Sequence, residues 1–304
     1  MHIDSGQLGA FAAVLRAGSF EGAARHLNVT PSAISQRIKQ LEERLGQVLI
    51  QRSAPCRPTA AGKVLARYAE QQALLEAETL HELHGTAATV PTTVRVPLVV
   101  NADSLESWFL AVFDTLDEAP AICLEVTVED QDHSLELLRE GTVIAAVTAD
   151  GKAVQGCRVV PLGAMRYRAV ASPAFVARHF AGGVNADSLA CAPMLLFSSK
   201  DALQDRYMAH YAPHPLSPPT HRVPSAWGFI ALAQRGVGWG MVPEIMAAGA
   251  LARGELCEIA PRRPIDVPLY WQHWRLKSTV MKRLTRCVED AARAALQARP
   301  ETLR

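Results

Sequence analysis

Six cysteines in 304 residues, each at least 30 positions from the next, leave no Cys-x-x-Cys pair. That spacing excludes a zinc ribbon or a thiol redox motif and predicts free, buried thiols. Long apolar runs are missing as well. The longest stretch without Asp, Glu, Lys or Arg is the 15 residues Tyr207–His221, rich in Pro and His, whereas a membrane helix needs about 18–20 apolar residues. The opening Met1-His2-Ile3-Asp4-Ser5 lacks the basic-then-apolar order of a secretory signal, so a cytoplasmic protein with no membrane partner is expected. Nucleotide and hydrolase signatures are absent: there is no P-loop, no G-x-S-x-G, no H-E-x-x-H and no G-x-G-x-x-G after a strand, and Gly236-Val237-Gly238-Trp239-Gly240 is only G-x-G-x-G. His210, His214 and His221 are irregularly spaced in a Pro-rich segment, which reads as a loop. The sequence therefore predicts no enzyme, no cofactor and no metal.

What is present is ordinary globular material, 49% hydrophobic and 20% charged, over a length that suits about two domains of roughly 150 residues. The formal charge of +1 conceals a division. Residues 1–62 hold seven basic side chains (Arg16, Arg25, Arg37, Lys39, Arg44, Arg52 and Arg57) against four acids. Residues 93–150 hold 12 acids against Arg95 and Arg139, while 151–304 hold 20 basic and 10 acidic residues. Such asymmetry speaks to partners, although the two halves also simply balance on one body.

The first 45 residues read as three helices. Ser5–Ala17 places Leu8, Phe11, Ala12 and Leu15 on one face, and Gly18 suits a left-handed C-cap. Ser19 caps Phe20–Leu27, and Thr30-Pro31 opens a third helix with an N-cap hydroxyl followed by proline at the first helical position. Ile34, Ile38, Leu41 and Leu45 recur along that helix until Gly46 stops it. Val48-Leu49-Ile50 and the Pro55…Pro58 turn predict a short hairpin or wing. Thr59 then caps a helix from Ala60 to about His84, whose stripe (Ala61, Val64, Leu65, Tyr68, Gln72, Leu75, Thr79, Leu83) needs a partner, and a coiled-coil-like pairing with a second chain is expected. Gly85–Thr93 carries no charge and no periodicity and reads as a hinge.

From Val94 the pattern alternates. Strands fit 94–100, 122–128, 143–148, 158–162, 166–171, 194–197, 220–223, 238–242, 255–259 and 267–274; helices fit 103–116, 133–139, 173–180, 201–210, 225–235, 243–251 and 278–298. Strands alternating with helices predict α/β layers around mainly parallel sheets, with ligand crevices beyond the strand C-termini, and two lobes flanking a cleft.

Three short helices with a capped, basic third member fit a helix-turn-helix. Ile34, Ile38 and Leu41 pack inward, leaving Ser32, Ser35 and Gln36 to meet base edges in a major groove, while Arg37, Lys39, Arg52 and Arg57 suit phosphates. Thr30, Pro31 and Gln40 complete the candidate DNA-facing set. A plain three-helix bundle with a solvated face shares this pattern. The run Phe20-Glu21-Gly22-Ala23-Ala24-Arg25-His26-Leu27-Asn28-Val29-Thr30-Pro31-Ser32-Ala33-Ile34-Ser35-Gln36-Arg37-Ile38-Lys39-Gln40-Leu41-Glu42 resembles the winged helix-turn-helix of LysR-type transcriptional regulators. Leu45-Gly46, Leu49-Ile50, Arg52 and Arg57-Pro58-Thr59-Ala60-Ala61-Gly62 fit the same family's wing and linker-helix start. The resemblance implies an N-terminal all-α winged helix-turn-helix over 1–60, a linker and dimerisation helix with a hinge over 61–92, and a C-terminal α/β two-lobed effector domain of periplasmic-binding-protein type over 93–304. Lobe I is then 93–164 with 268–304, and lobe II 165–267. It also implies double-stranded promoter DNA as partner, a dimer that usually doubles to a tetramer, possible contact with RNA polymerase, and a place on the nucleoid. Many members carry Gln where this chain has Pro31, so any base contact of that Gln is lost.

In the effector part, Asn101-Ala102-Asp103-Ser104 joins a strand end to a helix start, where free N–H groups suit a carboxylate and Ser104 adds a hydroxyl; Asn101 and Asp103 also suit helix capping. Pro224-Ser225-Ala226-Trp227 forms a second such junction. Glu129-Asp130 and Thr148-Ala149-Asp150 follow strands directly, where carboxylates suit a cation or line a solvated loop. Trp108 and Trp227 read as packing. Asn101-Ala102-Asp103-Ser104-Leu105, Val128-Glu129-Asp130, Ala233-Gln234-Arg235-Gly236 and Leu269-Tyr270-Trp271 are similar to the arginine- and lysine-responsive ArgP/LysG subgroup of that family. The resemblance implies a small-molecule effector, lysine or arginine, and control of a basic amino-acid exporter. In the combined reading, Ser104 and the neighbouring backbone take the ligand carboxylate, Asp103 the α-ammonium, and Glu129 or Asp130 the side-chain cation. A sibling regulator sensing a neutral or acidic metabolite is the alternative within the family, and a solute-binding or enzymatic α/β protein the alternative outside it.

Overall fold

The computed structural model describes residues 3–84, 93–116, 121–129 and 131–298. The expected hinge, apart from Thr93, lies outside the described residues, as does Asp130.

The head is built as its punctuation dictates. Helix α1 (Ser5–Ala17) is capped by Asp4 and ends on Gly18 at φ +65°; α2 (Phe20–His26) is capped by Ser19. Helix α3 (Pro31–Leu45) starts on Thr30, whose Oγ1 accepts the Ala33 N–H at 3.2 Å, and ends on Gly46 at φ +64°. Phe11, Ile34, Ile38 and Leu41 are almost wholly buried in one cluster, each contributing about 1.5–3 kcal/mol through removal from water. The wing is shorter than Val48-Leu49-Ile50 suggests. Strands β1 (Ile50–Gln51) and β2 (Arg57–Pro58) pair over two residues only, because Leu49 and Val48 are held instead by Glu42 and by the Thr59 cap of the next helix.

Helix α4 (Ala60–His84) carries the chain away from the head. Leu65, Ala66 and Ala69 pack on the head and Leu74 on the following module. Three acidic contacts fix its course. Glu140 pairs with Lys63 at 2.8 Å, Glu70 sits between Arg16 and Arg95, and Glu78 accepts from Ser278 Oγ and Val280 N, both at 2.7 Å. Gly141, at φ +76°, lies so close to α4 that a Cβ there would stand 2.6 Å from the Arg67 nitrogen.

The second module contains, in order, β3 (Thr93–Val100), α5 (Ala102–Leu105), α6 (Leu110–Phe113), β4 (Ala121–Val128), α7 (Gln131–Glu140), β5 (Ala145–Thr148), β6 (Cys157–Ala171), α8 (Pro173–His179), α9 (Ala186–Cys191), β7 (Met194–Leu196), α10 (Leu203–Met208), β8 (Thr220–Arg222), α11 (Ala226–Gln234), β9 (Gly240–Pro243), α12 (Glu244–Ala252), β10 (Cys257–Glu258), β11 (Ile265–Trp274) and α13 (Thr279–Ala295). Among the described residues the main sheet has seven strands in the order β10-β6-β11-β5-β3-β4, with β9 also on β6.

The structure departs from the sequence pattern in three places. The main sheet is mixed: β3 runs parallel to β4 and β5, whereas β11, β9 and β10 are all antiparallel to their partners. The strands expected at 158–162 and 166–171 are one strand, β6, kinked rather than ended at Gly163. Its pairing with β11 slips by one residue between Leu269 and Tyr270, and Gly163 at φ +124° lets the backbone pass Gln297. The helix expected at 103–116 is broken into α5 and α6, since the Ser107 hydroxyl competes for the Asp103 carbonyl and Phe109 N–H reaches back to Ser104 O. Helix α9 was not foreseen; its signal is the Asn185/Ser188 capping box.

Strands β6 and β11 thread both lobes. Their outer halves pair with each other beside β5, and the inner half of β6 carries β9 and β10. A separate apolar cluster of Val170, Leu195, Phe229, Ile230, Val242 and Leu256 fills the second lobe.

Candidate functional site

On α3, about 100° of rotation per residue puts Ser32, Ser35, Gln36 and Lys39 on one side. They lie opposite the buried Ile34, Ile38 and Leu41, and all but the half-buried Ser35 are exposed. Thr30 and Pro31 are exposed at the helix start, with Thr30 Oγ1 2.9 Å from Ser32 Oγ. Gln40 lies at the edge of this face and accepts from Gln7 Nε2 of α1 at 3.2 Å. Arg37 is not brought to it; five residues at about 100° each place it about 140° from Ser32. In the wing, Arg52 stacks its guanidinium 4.9 Å from the Phe20 ring centre, and Arg57 is exposed on β2. Small donors flanked by cations are the arrangement a major groove accepts.

A cavity of about 490 Å³ opens where β3 and β4 end, between the two lobes. Asn101, Ala102, Asp103, Glu129 and Ala226 line it, as expected, and are joined by Tyr167, Ser198, Lys200, Asp201 and Arg206. These latter residues come from β6, from the segment leading into α10 and from α10 itself, far from Asp103 in sequence. Asn101 occupies the N-cap position of α5 without a side-chain cap bond, and its buried Oδ1 has no partner among the described residues. Three further candidates lie off the cavity surface. Ser104 is wholly buried, its hydroxyl unpaired behind the wall, because the third residue of so short a helix faces the core. Thr148 is wholly buried at the end of β5, accepting the Asp150 N–H. Ser225 is exposed and spends its hydroxyl capping α11 at Gly228 N. Trp108 packs edge-on to Phe109 as expected, but Trp227 is 58% exposed and is not a packing residue.

Acidic side chains outnumber basic ones on the cavity wall, Asp103, Glu129 and Asp201 against Lys200 and Arg206. Burial pushes the Asp103 carboxyl up to about 6; the Tyr167 hydrogen bond draws it back, while the charges of Asp201 and Glu106 add to the rise. Tyr167 Oη donates to Asp103 Oδ2 at 2.6 Å, and burial next to that carboxylate raises the phenol well above its ordinary range. Asp201 is likewise raised by burial, although the Phe197 and Leu203 N–H groups, both 3.1 Å from its carboxylate, pull it down. Two carboxylates held in ionisation-unfavourable surroundings on one cavity wall have the chemistry to receive a cation. Among the described residues no three His, Cys, Asp or Glu group as a metal site, and no helix is long and apolar enough to cross a membrane.

A helix-turn-helix head joined by one long helix to a two-lobed module with a polar cavity is the architecture of a ligand-responsive transcriptional regulator. Residues 5–63 match the bacterial regulatory helix-turn-helix protein, lysR family, and residues 98–293 the LysR substrate binding domain. The chain is 49% identical over 290 residues to the HTH-type transcriptional regulator LysG of Mycobacterium tuberculosis, spanning 95% of this chain and 94% of the relative. It is 42% identical over 287 residues to the lysine export transcriptional regulatory protein LysG of Corynebacterium glutamicum, spanning 94% and 97%. The full-length structure of LysG from Corynebacterium glutamicum with bound effector Arg superposes with a TM-score of 0.76 at 39% identity, covering 97% of this chain and all of that one. The chain belongs to the LysR family of transcriptional regulators. The resemblance read from Phe20–Glu42 therefore holds, and the enzyme reading gives way to relatives named as regulators.

Proposed function

We propose that this LysR-type regulator reads promoter DNA with α3 and the wing, senses lysine or arginine in the interlobe cavity, and controls a basic amino-acid exporter. The observation that carries the ligand class is the cavity's charge. Asp103, Glu129 and Asp201 stand on its wall with Lys200 and Arg206, so one cavity offers both carboxylates for a cation and cations for a carboxylate. The name of the Corynebacterium relative, a lysine export regulator, and the arginine in its structure support the same class. In this reading Asp103 takes the α-ammonium and Glu129 the side-chain cation. With Ser104 turned inward, the carboxylate falls to Arg206 and the first N–H groups of α5. Ser32, Ser35 and Gln36 read bases; Lys39, Arg52 and Arg57 hold phosphates.

The functional division is a DNA-binding head over 1–60, a linker over 61–92 and an effector domain over 93–304. Two chains join through α4, and two such dimers form a tetramer on the nucleoid in the cytoplasm, where contact with RNA polymerase becomes possible. Val64, Tyr68, Leu75 and Leu83 form an exposed apolar stripe along α4, which supports the pairing.

A thermal-shift screen over amino acids tests the ligand. A ligand at a hundred times its Kd stabilises by about 2.7 kcal/mol. Arginine and lysine are expected to raise Tm by several degrees and aspartate to leave it unmoved. Stabilisation by aspartate or a neutral amino acid alone would overturn the reading in favour of a different effector.

A further inference from the structure

Asp103 and Tyr167 meet across the cleft. Asp103 stands on α5, at the C-terminal end of β3. Tyr167 stands in the inner half of β6, opposite Pro243 of β9 and Ile265 of β11. They are 64 residues apart in sequence, yet the phenol donates to Asp103 Oδ2 at 2.6 Å, and Tyr167 is only 2% exposed. Both line the cavity, beside the unpaired buried Oδ1 of Asn101.

We infer that Tyr167 is a positioning residue for the effector site: from the opposite lobe it fixes one oxygen of Asp103 and leaves the other for the ligand's ammonium or guanidinium. This rests on the basic-amino-acid reading above. At neutral pH the phenol carries no charge to pair with the cation. Its part is to donate to the carboxylate, which favours the ionised form, and to restrict the group to one orientation before the ligand arrives. The charged surroundings work against ionisation. Glu106, just beyond α5, and Asp201, ahead of α10, both oppose a second negative charge, and Tyr167 is the side-chain donor that counters them. Glu129 at the end of β4, Lys200 and Arg206 complete the charged lining; the parts contributed by α11, β9, α12 and β11 carry no charge.

The consequence is a defined pH signature. A cation binds Asp103 only when it is ionised, so affinity is full above its titration near 6 and falls about tenfold per pH unit below it. Removing the donor raises that titration further. In Tyr167→Phe, the break in the plot of log affinity against pH for arginine moves upward by half a unit or more. The loss is severalfold at pH 6 and shrinks to about threefold or less at pH 8.5. A phenyl ring in a packing role alone would lower affinity by one factor at every pH, and that uniform loss, or an unmoved break, overturns the inference.

Ligand-free unfolding keeps the test independent of the effector's identity. Asp103 titrates higher in the folded chain than in the unfolded one, so the folded state loses stability as pH rises from about 4 to about 6. In Tyr167→Phe that decline continues to higher pH, and Asp103→Asn removes the share of it that Asp103 contributes. If arginine fails to bind the unaltered protein but this shift is seen, the effector reading falls while the pairing of Tyr167 with Asp103 stands. If arginine binds and neither the binding break nor the unfolding profile moves in Tyr167→Phe, the inference falls alone.

Discussion

Asp103→Asn is expected to weaken arginine binding a hundredfold or more while making the ligand-free protein more stable at pH 7. The two effects have one cause. Asp103 sits where burial pushes its carboxyl up to about 6, so at pH 7 it is ionised against the preference of its surroundings. A bound ammonium repays that penalty with a charge-assisted bond. Truncating one partner of a buried charge pair costs about 2–5 kcal/mol of affinity, and 3 kcal/mol is already more than a hundredfold. Without ligand the sign reverses. The unfolded chain ionises Asp103 from about pH 4 and the folded chain near 6, so the folded state is penalised at every pH above that window, and asparagine carries no such penalty. Asparagine still offers an oxygen to Tyr167, which keeps the packing intact. Calorimetry with arginine and thermal unfolding without it, both at pH 7, check the two halves. A stable variant that binds arginine as well as the unaltered chain would remove Asp103 from the site.

The second large effect is expected on α4. Tyr68 is 47% and Leu75 40% exposed, on the same side of a helix whose other faces are covered by the head and by the effector module. Glutamate at both positions places like charges opposite each other in a paired helix and leaves the isolated chain's own core alone. The double variant Tyr68→Glu/Leu75→Glu should therefore sediment as a folded monomer. A monomer engages a single half-site, and losing the second, tethered contact lowers apparent affinity by about 10² to 10⁴. Analytical ultracentrifugation and binding to operator DNA report the two consequences. A variant that remains dimeric would show that another surface holds the chains together.

The head was legible in the sequence because its information is local. Gly18, Ser19, Thr30-Pro31 and Gly46 each set a helix end by their own backbone or side-chain chemistry, and the structure places caps on all four. The cavity was legible along β3 and β4 and at the start of α11, where a strand end or helix start and the next residues are neighbours in the chain. Tyr167, Asp201 and Arg206 reach the cavity because distant segments pack around it, which no spacing within one segment reveals. Ser104 was misplaced for a related reason: a four-residue helix has too little periodicity to tell a wall from a core. Likewise Gly163 looked like a strand end, and the long pairing of β6 with β11 that carries the chain past it is visible only in three dimensions.

The proposed function requires that α3 reads duplex DNA and that cation binding in the interlobe cavity alters the reading. The most direct measurement is a fluorescence anisotropy titration of the full chain on the intergenic DNA beside its own gene and on a random duplex of equal length, each with and without saturating arginine. The account predicts tighter binding to the intergenic fragment and an arginine-dependent change confined to it. It also predicts that Gln36→Ala removes about 1–3 kcal/mol of that preference, whereas Arg52→Ala weakens both duplexes alike. Equal affinity for the two duplexes, unmoved by arginine, would contradict it.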